Sequence, residues 1–250
     1  MFMRALYHGS GCHRYHIDEN RQECLLETIQ AGYKIYIMEE QTEHNLEERL
    51  NAVTHSMGVG MSIVGLVFLL LLTSWKTGST AAYIGFSIYG ASQIFLYLSS
   101  TMTHQFTDKP RFHSVARIFD QVTIYYLIAG TYTPVALLIL PRKTGLIMLI
   151  MAWGFALFGT VLKGAIFKKP HYATDLLYLL MGWLIVFFIR PMIEYSPDGF
   201  LKWIVIGGLF YSVGIVFYLT HKIPLSHVIW HLFVLAGGIS FYIGFAVYLT

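Results

Sequence analysis

Charge is what this sequence has least of. Of its 250 residues 12% are charged, against 56% hydrophobic, which is about half the charged fraction of soluble domains. That shortage excludes an ordinary soluble globule. Acidic residues are scarcer still beyond the first fifth of the chain. Nine of the fourteen (Asp18, Glu19, Glu23, Glu27, Glu39, Glu40, Glu43, Glu47 and Glu48) precede residue 50, and only Asp108, Asp120, Asp175, Glu194 and Asp198 follow it. The chain therefore reads as a polar amino-terminal segment, 1–44, followed by a membrane body, 45–250.

Other absences narrow the class further. There are two cysteines, Cys12 and Cys24, with no CxxC, so neither a disulfide framework nor a cysteine zinc site is indicated and free thiols are expected. The net charge of +3 comes from dispersed Lys and Arg rather than a basic stripe, so no nucleic-acid partner is expected. The apolar runs are continuous, not alternating, which argues against a transmembrane barrel. The first of them starts near residue 52, too late for a signal peptide. Residues 1–37 differ in character from the rest and read as an unstructured tail or as sequence upstream of the natural start. Cys12, His13 and His16 within them are not expected to form a metal cluster.

What is present is a series of uncharged stretches long enough to cross a bilayer, which takes about 20 apolar residues. Charged residues leave 26 uncharged positions between Arg49 and Lys76, 31 between Lys76 and Asp108, and 21 between Asp120 and Arg142. They leave 19 between Lys143 and Lys163, 19 between Lys202 and Lys222, and 28 from Lys222 to the end. The stretch from Asp175 to Arg190 has 14 and reaches spanning length if Arg190 snorkels. The reading is an all-α integral membrane protein, a seven-transmembrane helix bundle with an intramembrane metal site. Its spans fall near 53–74, 80–104, 118–140, 145–166, 173–193, 201–220 and 225–249. Glycines within them (Gly58, Gly60, Gly65, Gly207, Gly208, Gly214, Gly237, Gly238, Gly244) predict close helix packing. Seven spans place the termini on opposite faces. The amino-terminal side carries 12 Lys and Arg and the other side 5, so the amino terminus is expected to be cytoplasmic. The loops counted on that side include Lys163.

Ionisable residues inside spans are costly and mark function or pairing. Here they are His55, His104, Asp120, Asp175, His227 and His231. With seven spans, all of them fall at helix ends on the cytoplasmic side. His227 and His231 are spaced i, i+4, which puts two imidazoles on one helix face about 6 Å apart along the axis. His104, at matching depth, is the natural third nitrogen of a Zn²⁺ site with an open fourth position. Such a zinc makes hydroxide available near neutral pH. Asp120 is then a candidate general base, and Ser100, one turn before His104, a candidate partner for water or an oxyanion. The competing reading of Asp120 is a structural pair with Arg117. Tyr125, Tyr126 and Tyr132 read as packing residues.

These motifs resemble a known family. SxxxH at Ser100–His104, FDQ around Asp120, AGTYTP at Ala129–Pro134 and SHVIWHLFVLAG at Ser226–Gly237 are similar to the hemolysin III branch of the progestin and adipoQ receptor family. EERLNAVTHSMG, leading into the first span, resembles its bacterial members. The resemblance implies an intramembrane zinc on His104, His227 and His231, with Asp120 and Ser100 acting beside it. It also implies kinship with membrane hydrolases such as alkaline ceramidases. Bacterial members carry a name for haemolysis. Three functions therefore stay open: a zinc-dependent hydrolase of lipid amides or esters, a receptor or sensor with structural zinc, and a channel-forming haemolysin. Membrane lipids are the expected partners, and the sequence sets no oligomeric state.

Overall fold

A computed structural model describes residues 19–166, 172–220 and 223–250. Cys12, His13 and His16 lie outside them, as do His171, Lys168, Lys169 and Lys222. The chain divides into two units, residues 1–48 and 49–250. What is described of the first is wholly helical, with exposed apolar side chains such as Leu26, Tyr33 and Met38. The second holds everything that follows.

Helix α1, Glu19–Lys76, contributes its residues from 49 onward to the second unit. It is followed by α2 (Thr80–Gln105), α3 (Pro110–Leu138) and α4 (Arg142–Val161), which runs into a π turn over Leu162–Ile166. Then come α5 (Tyr172–Gly182), a 3-10 segment (Trp183–Phe188), α6 (Ile189–Tyr195), α7 (Phe200–Leu219) and α8 (Ser226–Tyr248). No strand occurs among the described residues. Turn chemistry sets several boundaries. Ser79 caps α2 by accepting from the Ala82 amide at 3.4 Å, satisfying one of the amides a helix start leaves open. Gly199, at φ +88°, turns the chain into α7, a conformation only glycine adopts cheaply.

Six helical stretches are long and apolar enough to cross a membrane: Leu26–Lys76, Thr80–Gln105, Arg142–Ile166, Thr174–Tyr195, Phe200–Leu219 and Ser226–Tyr248. The expected seventh, α3, exists as a 29-residue helix but is not among them. Its sequence explains this. Arg117, Asp120, Gln121, Thr123, Thr131 and Thr133 dilute its apolar character. It packs against α2 on one side and α4 and α5 on the other, so protein rather than lipid surrounds much of its surface.

The fifth span, the shortest in sequence, is also the least regular. The Tyr132 hydroxyl reaches in from α3 and accepts from the Ile185 amide at 3.1 Å, while lying 2.9 Å from the Gly182 carbonyl and 3.0 Å from that of Met181. A side chain inserted into the backbone ladder is a recognised cause of a helix break. Pro191, lacking an amide hydrogen, removes a further ladder bond just downstream. Tyr132 is thus more than a packing residue.

Within lipid, helices gain little from apolar burial and associate by close contact. Gly58 receives the Tyr97 ring and Gly65 the Tyr242 ring; Gly207 receives Phe241, Gly214 Trp230 and Phe233, and Gly237 Tyr211. Gly60 and Gly208 meet no neighbour and do not serve packing as the sequence predicts. Toward the ends of α2 and α8 away from the histidines, Phe86, Phe200 and Phe245 form a sealed aromatic core with Leu69, Met148 and Met192. By contrast Val64, Phe95, Leu157, Phe187 and Val216 are largely exposed, as lipid-facing residues are.

Candidate metal centre

Three helices bring the candidate residues together. His104 lies in the last turn of α2 and His227 and His231 in the first two turns of α8. One nitrogen from each of the three lies within 4.8 Å of the other two. Their ring centroids are 5.1 Å apart for His104–His227, 5.1 Å for His104–His231 and 4.6 Å for His227–His231. His231 is buried, while the other two are half-buried. Leu225 immediately precedes α8 at φ 57°. A branched non-glycine residue there is strained, and such outliers concentrate at functional sites.

On α3, Asp120 is half-buried and hydrogen-bonded by the Ser100 hydroxyl of α2, and it lies within electrostatic reach of His104 and Arg117. Ser100 itself is buried. The structure therefore assembles all five sequence candidates, and Asp120 has more partners than Arg117 alone.

A fourth histidine, singled out in the sequence without a role, joins this group. His55 of α1 is 3% exposed, and its ring stacks on His231 with centroids 3.5 Å apart and planes 14° from parallel. Imidazole lone pairs lie in the ring plane, so two parallel stacked rings cannot aim at one ion. His55 packs on a candidate ligand rather than joining the set. Its other face meets the edge of Tyr97 at 5.1 Å. One turn away, Asn51 is 1% exposed and contributes a backbone contact to His231. Thr54 Oγ1 lies 3.4 Å from His231 Nδ1. Thr54 thus engages the Nδ1 side of the ring, as outer residues that orient metal-binding histidines do. The signal was in the sequence: Asn51, Thr54 and His55 sit at i, i+3, i+4, but their partner is 176 residues away.

A second polar group sits on the far side of α3. Lys163, in the π turn, is fully buried and in electrostatic contact with Asp175. It lies within the fourth span, which the sequence reading places at 145–166, although it was also counted with the loop charges. Tyr218 contacts the His227 ring at 6.0 Å and hydrogen-bonds Gln121.

The donor set suits zinc. Three imidazoles with a nearby carboxylate are the ligands borderline metals take. Calcium or magnesium, which take oxygen, find no carboxylate cage here among the described residues.

Comparison with known proteins agrees with a chain of membrane helices. Residues 43–242 match the family model described as haemolysin-III related. The chain belongs to that family. Hemolysin-3 homolog of Bacillus subtilis (strain 168) is 40% identical over 196 residues, covering 78% of this chain and 91% of the relative. Hemolysin-3 of Bacillus cereus is 39% identical over 201 residues, covering 80% and 91%. More distantly, the monocyte to macrophage differentiation factor of Homo sapiens is 30% identical over 205 residues, covering 78% and 82%. Family membership and the spanning helices together make the chain a multi-pass integral membrane protein.

Proposed function

We propose that this haemolysin-III family member is a zinc-dependent hydrolase that cleaves an amide or ester bond of a membrane lipid. In this reading α3 is the seventh span, the amino terminus is cytoplasmic and the site lies near the cytoplasmic face. The observation that carries the reading is the convergence of three imidazoles beside a carboxylate that is itself held by a buried serine. A purely structural metal needs the histidines but gives no role to Asp120 or Ser100.

His104, His227 and His231 would hold the metal. When bound, zinc supplies a Lewis acid that makes water nucleophilic near neutral pH. The remaining work falls to the chain. Asp120, fixed by the Ser100 hydroxyl, is placed to accept a proton and return it to the departing amine or alcohol. Thr54, Asn51 and the stacked His55 hold His231 in one orientation. Water adds across the scissile bond, giving a fatty acid and the amine or alcohol.

The test is turnover on a broad panel of lipid amides and esters, read by mass spectrometry. Wild-type protein should release a fatty acid from at least one class. Asp120→Asn should lower that rate by about 10²–10⁴-fold, the usual contribution of a general base, while retaining metal. Absence of product from any lipid with metal-loaded protein would sink the proposal. The names of the two Bacillus relatives favour a second reading, a cytolysin, which requires leakage from liposomes at low protein density.

A further inference from the structure

A second polar cluster lies at mid-helix depth, away from the histidines. Gln93 is near the midpoint of α2, Tyr211 of α7 and Gly238 of α8. In a membrane-spanning bundle that is the depth where an unpaired polar atom is most costly.

The hydrogen-bond directions can be worked out. Tyr89 donates its one hydroxyl hydrogen to the Gly238 carbonyl at 3.0 Å. Its oxygen can then only accept from Gln93, 2.8 Å away, which assigns the bonded end as Nε2 and. The other end, Oε1, is therefore a committed acceptor. Gln93 is 5% exposed, and Oε1 has no hydrogen-bond partner among the described residues. The Tyr211 hydroxyl is likewise buried and without a partner among them.

Two adjacent glycines gather these groups. A Cβ on Gly238 would stand 2.9 Å from Gln93 Nε2, 3.0 Å from Tyr97 Oη and 3.3 Å from Gln93 Oε1. A Cβ on Gly237 would stand 2.5 Å from the Tyr211 ring. Tyr89, Tyr97 and Tyr211 are near enough to act on one another electrostatically. The cluster contains amide and phenol groups only, so it offers hydrogen bonds without a charge.

We propose that Gln93 and Tyr211, with Tyr97 beside them, bind one uncharged hydroxyl-bearing molecule in the middle of the bundle. Gln93 Oε1 accepts its hydrogen and the Tyr211 hydroxyl donates to its oxygen. A carboxylate or phosphate does not fit, because it brings no hydrogen for Oε1 and meets no cation. The hydroxyl belongs either to a sequestered water or to an alcohol group of a membrane-soluble molecule. The site is independent of the metal reading.

Tyr211→Phe tests this, since it deletes one oxygen and keeps the ring. Full-length protein in nanodiscs would be melted alongside wild type. A bonded hydroxyl predicts a loss of roughly 2–4 °C, the scale of one hydrogen bond in a chain of this size. An unchanged or higher melting temperature would show a hydroxyl with nothing to lose and overturn the proposal. Mass spectrometry of the extracted lipids separates the sources. An alcohol retained by wild type and missing from Tyr211→Phe identifies a lipid hydroxyl. Equal extracts with the same thermal loss identify water.

Discussion

The two ends of α2 and α8 are built on opposite principles. At one end His55, Ser100, His104, Asp120, His227 and His231 crowd together, polar and pre-positioned. At the other, Phe86, Phe200 and Phe245 close the bundle with aromatic contacts, Phe245 lying 4.8 Å from Tyr89 and 6.1 Å from Phe86. The apolar end can hold the helices in register so that the polar end need not. A site made of imidazoles and a carboxylate contributes little assembly energy unless metal is present, and its burial costs stability. The far end of the same helices thus supplies assembly energy, and the polar end is left to supply chemistry.

That division of labour can be broken at either end. The largest effect is expected from Phe245→Ala, which empties a fully buried ring position. Loss of about 3 kcal/mol of stability is predicted, measured by thermal denaturation in nanodiscs. Metal stoichiometry of the surviving folded fraction should stay at the wild-type value. A metal loss larger than the folding loss would show that the two ends are not separable. A smaller effect is expected from His55→Ala, which removes the ring stacked on His231. Weakening of metal affinity by about 10–100-fold is predicted, the usual scale for outer residues of metal sites, read by competition with a chelator. His55→Phe, which keeps an aromatic face against His231, should recover most of that loss. If Phe fares no better than Ala, stacking is not what His55 supplies.

Legibility in the sequence followed the same contrast. The histidine end was readable because its cost is visible: a charged or imidazole group in an apolar run needs a reason, and depth along each span could be counted from its ends. His104, His227, His231 and Asp120 were accessible that way, and Ser100 through its place one turn before His104. The partners of His55 were not, because stacking depends on the facing helix and not on spacing within α1. Lys163 misled for the opposite reason. A lysine at the end of an apolar stretch looks like an interfacial anchor, and only the approach of Asp175 from α5 accounts for its burial. The irregular fifth span was foreshadowed by its length but not explained by it. Tyr132, on another helix, occupies the broken ladder. The apolar core could be inferred only as a class: an aromatic in a span faces either protein or lipid, and buried Phe245 and exposed Phe187 are indistinguishable by composition.

The central claim is that His104, His227 and His231 hold one metal ion. The most direct measurement is elemental analysis of purified wild-type protein beside His104→Ala and His227→Ala. The account predicts one zinc per wild-type chain and its loss in both variants, with helical content unchanged. Full metal content in either variant would contradict it by removing that histidine from the site.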